Sequence, residues 1–122
     1  MATITVLDDD ASTRDALVGM LRDLFPRTRV IGVRVDAALG TTERDAVALV
    51  LTELAAVERI RRLPAGARVI ALTREMGPDT LLRAEGLGVA ASMRAPATPQ
   101  RLQVVLEPFL GRDGASRARD PD

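Results

Sequence analysis

The strongest constraint on the fold is an alternation between short apolar runs and longer stretches with helical periodicity. Five runs have strand length: residues 4–7, 30–35, 46–52, 68–72 and 89–93. Most of them lack the strict in-out alternation of a half-exposed strand, which is typical of parallel strands covered on both faces. The sequence therefore predicts a three-layer α/β fold, in which a five-stranded parallel sheet has helices on both faces.

Helices are predicted between these runs. The first covers residues 11–25, begins at a cap formed by Asp10 or Ser12, and stops before Pro26. The later helices are predicted over residues 36–44 (a short one), 54–63, 78–86 and 99–110. Gly86 is expected to act as a C-cap, and Pro108 to interrupt or bend the last helix.

Composition excludes several kinds of chemistry. All 17 basic residues are arginine, and the chain contains no Lys, His, Cys, Tyr or Trp. Mechanisms that need an amine, an imidazole, a thiol or a phenol are therefore unavailable to its side chains. The formal net charge is +0, which gives no global field that would favour nucleic acid. No apolar run approaches the roughly 20 residues of a membrane helix, so we expect a cytoplasmic protein without membrane contact.

Acidic residues follow two of the predicted strands. Asp8 and Asp9 come directly after the first strand and Glu53 directly after the third, while Thr73 follows the fourth. Sites in open parallel sheets form beyond the carboxyl ends of the strands, so these side chains mark the candidate site. Two interpretations of Asp8 and Asp9 stay open: solvated charges at the edge of the sheet, or ligands of a divalent metal. Asp10 is explained more simply as a helix cap.

Five segments together resemble the receiver domain of bacterial two-component response regulators, over about residues 3–110. The segments are VLDDDASTRDAL, VIGV, LVLTEL, VIALT and MRAP, and they occur in the order of that family. VIGV is similar to the receivers that precede LuxR-type DNA-binding domains. The resemblance implies a three-layer (βα)5 receiver fold of flavodoxin-like topology over residues 1–110. Residues 111–122 are then a flexible C-terminal tail or linker.

The resemblance also assigns a role to single positions. The acidic pair of the family falls on Asp8 and Asp9. The phosphate acceptor falls on Glu53, or on Thr52 if the alignment shifts by one. The hydroxyl switch falls on Thr73 and the aromatic switch on Ser92. The lysine position is Ala95, and the proline that follows it in the family, commonly in cis linkage, is Pro96. In the family, Mg²⁺ is held by the acidic pair and the acceptor, which here means Asp8, Asp9 and Glu53.

Several of these positions carry the wrong residue for phosphorylation. The acceptor aspartate is replaced by Glu53 and the lysine by Ala95, and no lysine exists elsewhere in the chain. Glu53 is either a permanent mimic of the phosphorylated state or an ordinary glutamate at the start of a helix. We expect Mg²⁺ to bind weakly, if at all. Arg74 and Arg94 are expected to supply the counter-charge, one of them pairing with Asp9 or Glu53.

The sequence thus favours a degenerate receiver domain that is not an enzyme and needs no cofactor. It would act in signal transduction or transcriptional regulation through a protein partner or an attached output domain, as a homodimer, without binding nucleic acid itself. Two alternatives stay open: a phosphorylation-competent receiver, and a module that senses a small ligand in the vestigial pocket.

Overall fold

Five parallel strands form one sheet in the order β2-β1-β3-β4-β5. The computed structural model describes residues 3–35, 47–60 and 67–111. In chain order the elements are β1 (Thr3–Leu7), α1 (Ala11–Leu24), β2 (Arg29–Val33), β3 (Val47–Glu53), α2 (Leu54–Val57), β4 (Arg68–Thr73), α3 (Pro78–Gly86), β5 (Ala91–Arg94) and α4 (Pro99–Gly111). The predicted three-layer parallel α/β fold is confirmed.

Each face of the sheet packs against a different set of helices. Ile4 and Val6 of β1 belong to the larger core cluster, together with Leu21 of α1 and Leu106 of α4. Successive strand residues point to opposite faces, so Leu7 lies on the other face and packs there with Ala56 of α2. Because both faces are covered, the central strands read as continuous apolar runs rather than alternating ones.

The first helix begins where the sequence predicts. Asp10 is its N-cap, and the Asp10 carboxylate accepts a hydrogen bond from the Thr13 backbone N–H at 3.1 Å. Of the two predicted caps, Asp10 and Ser12, the structure therefore uses Asp10. The helix ends at Leu24, just before Pro26, because proline provides no N–H for a further helical turn.

The middle helices differ from the sequence prediction. The short helix predicted over 36–44 lies outside the described residues. The helix predicted over 54–63 stops at Val57, and the backbone N–H groups of Arg59 and Ile60 bond three residues back instead of four. The chain therefore continues as a turn, and residues 61–66 lie outside the described part.

The ends of the last two helices also differ in detail. Gly86 is the last residue of α3, and the residue with left-handed backbone geometry is Gly88, at φ +78°. The last helix runs through Pro108 to Gly111 without interruption. Proline removes the bond to the carbonyl of Val104, a residue that is 72% exposed, so water can take over as the donor. Among the described residues no helix has the length and apolar character needed to span a membrane.

Candidate functional site

The sheet register brings the predicted site residues to one edge. Thr52 lies beside Leu7, so Asp8 and Glu53, the next residue of each strand, leave the sheet next to each other. Glu53 in turn lies beside Leu72 of β4. The carboxyl ends of β1, β3 and β4 therefore meet at the edge where parallel α/β sheets place their sites.

A cleft of about 840 Å³ opens at this edge, between the start of α1 and the segment that follows β5. Three carboxylates line it: those of Asp8, Asp10 and Glu53. Arg74 is the only cationic residue among the described residues that line it. We call this feature the acidic cleft.

The rest of the acidic cleft is largely apolar. Leu17 and Met20 of α1 line one side, Leu72 lines the base, and Ala95 with Pro96 lines the other side. The peptide bond between Ala95 and Pro96 is cis, as the sequence resemblance implies. Ala95 offers only a methyl group at the position where the resemblance implies a lysine. The side chains around the cleft therefore combine a hydrocarbon surface with a negative rim.

Asp8 is fixed within the acidic cleft by its own neighbours. Its side chain accepts a hydrogen bond from the Asp10 backbone N–H at 2.9 Å, and the residue is only 8% exposed. The guanidinium of Arg14 donates to the Asp8 backbone carbonyl at 2.8 Å. The bonds from the Thr13 hydroxyl and backbone N–H lower the pKa of Asp10 below its ordinary value of 3.8.

Asp9 is directed away from the acidic cleft. One carboxylate oxygen accepts a hydrogen bond from the Val35 backbone N–H at 2.9 Å, and the other lies 3.2 Å from the Arg59 guanidinium. The Val35 N–H is the largest cause that lowers the pKa of Asp9, and the Arg59 hydrogen bond and charge lower it further. The acidic pair of the sequence is therefore divided between two sides of the β1–α1 turn.

The cation that pairs with Asp9 is Arg59. The sequence predicts Arg74 or Arg94 instead. Within the described residues, neither Arg74 nor Arg94 forms an ion pair with Asp9 or Glu53. Arg74 follows β4, two strands away from β1, and Arg94 ends β5, three strands away. Neighbouring strands lie about 4.8 Å apart, so both arginines start farther from Asp9 than a residue on an adjacent strand would. Asp9 and Arg59 are 50 positions apart in the sequence, so no local pattern indicates that they pair.

The structure distinguishes the two candidate acceptor positions. Glu53 is exposed and lines the acidic cleft, whereas Thr52 is 1% exposed and faces the opposite side of the sheet. Within the described residues the Thr52 hydroxyl has no hydrogen-bond partner. The residue presented to the cleft is therefore Glu53.

The two predicted switch positions lie outside the acidic cleft. Thr73 is buried, and its hydroxyl donates to the Met76 sulfur at 3.0 Å. Ser92 is half-buried and lines a separate cavity of about 350 Å³ with Leu81 and Leu82 of α3. Sequence reasoning did not identify Met76, because a methionine three residues past a strand has no distinctive pattern.

The donor set does not fit a divalent metal. Mg²⁺ requires about six oxygen ligands close together, and the Asp9 carboxylate is already bonded to Val35 and Arg59 away from Asp8 and Glu53. Among the described residues, no group of three acidic, histidine or cysteine side chains is placed to hold a metal ion. Asp8, Asp9 and Glu53 thus do not assemble into the site that the resemblance implies.

Known structures with this fold include response-regulator receiver domains. The CheY-like receiver domain protein of Methanospirillum hungatei matches with a TM-score of 0.70 and 19% identity, over 93% of this chain and 96% of that chain. A protein assigned to pilus assembly (CpaE) in Burkholderia thailandensis matches with a TM-score of 0.68 and 25% identity, over 90% of this chain and 98% of that chain.

A protein of Burkholderia pseudomallei assigned to a pilus-assembly-related role matches with a TM-score of 0.65 and 25% identity, over 96% of this chain and 94% of that chain. No protein-family model matches the sequence, and no curated protein matches it significantly. The chain therefore has the fold of response-regulator receiver domains.

Proposed function

We propose that this receiver-fold domain transmits signals through protein–protein contacts, without aspartyl phosphorylation and without enzymatic activity. One observation carries the proposal: Glu53 and Ala95, to which the sequence resemblance assigns the acceptor and lysine positions, both line the acidic cleft. The cleft therefore offers no aspartate at the acceptor position and no ammonium group to pair with phosphoryl oxygens.

The fixed contacts around the cleft support the same proposal. The Thr73 hydroxyl is bonded to Met76, and the Asp9 carboxylate is bonded to Arg59 and Val35. Groups that are already bonded inside the protein are less free to respond to a phosphoryl group. The domain would then present one constant surface to its partners.

We place the domain in the cytoplasm, acting on a protein partner or an attached output domain, and forming a homodimer. Leu82 on α3 and Val104 on α4 are large apolar side chains with exposures of 66% and 72%. We propose that these side chains contribute to the contact surface, since exposed apolar side chains mark contact surfaces when they form a contiguous patch. We propose no direct contact with nucleic acid, in line with the net formal charge of +0.

Intact-mass spectrometry after incubation with acetyl phosphate and Mg²⁺ tests the proposal. We expect no phosphoryl adduct, while a phosphorylation-competent receiver treated in parallel gains one and shows that the donor is active. A stoichiometric adduct on this chain would contradict the proposal.

Mg²⁺ alone at millimolar concentration should leave the melting temperature unchanged, because a ligand stabilises a fold only when its concentration exceeds its Kd. A rise that Asp9→Ala abolishes would contradict the weak metal binding.

A more specific role is supported by the two matches at 25% identity. Both proteins are assigned to pilus assembly or a related role, and both match nearly their whole length. We propose that this domain works in pilus assembly. Deletion of its coding segment in the source organism should reduce the number of surface pili seen by electron microscopy, and the intact segment should restore them. Unchanged piliation after deletion would contradict this role.

A further inference from the structure

We propose that the acidic cleft binds a small organic cation, which consists of an ammonium or guanidinium group on a short hydrocarbon body. The cleft has a volume of about 840 Å³, within the range of roughly 300–1,000 Å³ that is typical of small-molecule sites. This inference goes beyond the proposed function and does not depend on it, because binding requires no phosphoryl transfer.

The charge of the cleft selects the head group. Three carboxylates and one guanidinium line it, which gives a formal charge of −3 + 1 = −2. Asp8 is only 8% exposed, and the one donor that its side chain receives from the described residues is the Asp10 N–H, at Oδ1. Asp8 lines the cleft, and its second oxygen, Oδ2, receives no hydrogen bond from the described residues. A cationic N–H group would satisfy it.

The apolar side chains select the rest of the ligand. Leu17, Met20 and Leu72 line the cleft beside the carboxylates, with Pro96 opposite. A hydrocarbon body buries its surface against these side chains, whereas a hydrated metal ion gains nothing from them. An anion is repelled by the net negative charge. The combination therefore fits an amphipathic cation better than a metal ion or an acid.

A titration followed by ¹H–¹⁵N NMR tests this inference with three probes that share one hydrocarbon body. The probes are hexylammonium, 1-hexanol and hexanoate. We expect hexylammonium to shift the backbone amide signals of Asp8, Glu53 and Ala97. Hexanol should bind about tenfold more weakly, because it lacks the charge-assisted bond, and hexanoate should cause no shift. Equal affinity for hexylammonium and hexanol would overturn the proposal, and so would the same shifts with Mg²⁺ at equal concentration.

Four variants locate the site. Asp8→Asn keeps an oxygen that can accept from the Asp10 N–H but removes the charge, and should weaken hexylammonium binding about tenfold. Ala95→Lys places an ammonium group of the protein itself in the cleft and should abolish binding. Asp23→Asn removes an exposed carboxylate on α1 away from the cleft and should leave the affinity unchanged.

Glu53→Gln, at an exposed position, provides a second test of the charge if Asp8→Asn does not fold. It too should weaken hexylammonium binding. Full affinity in Ala95→Lys, or an equal loss in Asp23→Asn, would place the binding elsewhere and overturn the proposal.

Discussion

Asp8 and Asp9 are neighbours in the sequence, yet their carboxylates belong to different parts of the structure. Asp8 is nearly buried and faces the acidic cleft. Asp9 is exposed and joins the β1–α1 turn to the end of β2 and to the turn after α2, through Val35 and Arg59. Adjacent like charges are tolerated here because each one has its own donors and the two are held on different sides of the turn.

The bonds to Asp9 make a prediction about pH. Its pKa in the folded protein lies below the ordinary value of 3.8, first because of the Val35 N–H and then because of Arg59. The stabilisation is therefore complete well above pH 3.8 and is lost as the pH falls through the folded-state pKa. The loss of stability caused by Asp9→Asn should be largest near pH 6 and should shrink toward about pH 3.

Urea unfolding at several pH values measures this difference in the free energy of unfolding. Asp23→Asn serves as the control, because it removes an exposed carboxylate from α1 and leaves the bonds of Asp9 to Val35 and Arg59 in place. Asp9→Asn should differ from this control in how its loss of stability depends on pH. If the loss of stability in Asp9→Asn did not change with pH, the charge of the Asp9 carboxylate would contribute nothing to the free energy of unfolding.

At the scale of elements, α1 is attached to the sheet by two arginines and a close approach to β2. Arg22 donates to the Val30 backbone carbonyl at 3.0 Å, and Arg14 donates to the Asp8 carbonyl at 2.8 Å. A Cβ at Gly32 would lie 2.9 Å from the Arg14 Cγ and 3.0 Å from a Val18 methyl carbon. Glycine at this position of β2 therefore lets the helix pack closely enough for Arg14 to reach Asp8.

The close approach predicts that Gly32→Ala destabilises the domain. The new methyl group would displace Arg14 and weaken its bond to the Asp8 carbonyl, at a cost of about 1–2 kcal/mol in the free energy of unfolding. Gly19→Ala is the matched control, because no atom lies within 4 Å of the added Cβ. It should stabilise by about 0.5–1 kcal/mol through helix propensity. Urea unfolding of both variants measures the contrast, and equal effects would contradict it.

The end of α3 gives a second pair of glycines. Gly88 has φ +78°, a conformation that costs a residue with a Cβ about 1–2 kcal/mol. Gly88→Ala should therefore destabilise by about that amount, while Gly86→Ala, in helical geometry with open space around it, should be neutral or stabilising. Thermal unfolding measures the stability of both variants and shows which glycine is needed at the end of α3. If Gly86→Ala lost more stability than Gly88→Ala, Gly86 would be the residue that ends the helix, as the sequence predicts.

At the scale of the whole molecule, the two faces of the sheet have different core clusters. The larger cluster joins all five strands to α1 and α4, and it contains Phe25 and Leu106 at 0% exposure. The smaller clusters lie on the other face, with Ala56 of α2 and Ala84 of α3. We conclude that α1 and α4 contribute most of the helical burial among the described residues.

This division predicts a large effect from a single side chain of α4. Leu106→Ala removes a fully buried side chain from the larger cluster and should lower the free energy of unfolding by about 2–5 kcal/mol. Val104→Ala, on the same helix but 72% exposed, should change it by less than about 0.5 kcal/mol. Urea unfolding measures both. Equal effects would show that Leu106 is not packed as the structure has it.

The sequence alone determined the layers and the strands, and it narrowed the first helix cap to Asp10 or Ser12 and the acceptor position to Glu53 or Thr52. These features depend on local periodicity and on the rule that parallel sheets place their sites at the carboxyl ends of strands. Helix ends were harder to predict, as at Val57 and Gly88. There the competing turn geometries differ little in free energy and are decided by neighbouring contacts.

Only the tertiary structure decided the partners of the carboxylates. Asp9 bonds to Val35 and Arg59, which are 26 and 50 residues away in the sequence. The sequence instead predicts Arg74 or Arg94 as the partner of Asp9 or Glu53. Ion pairs depend on distances of a few ångströms between segments that are far apart in the chain, and the cleft exists only once those segments are packed. Residue types and spacing specify which groups reach the edge of the sheet, whereas their directions follow from the packing around them.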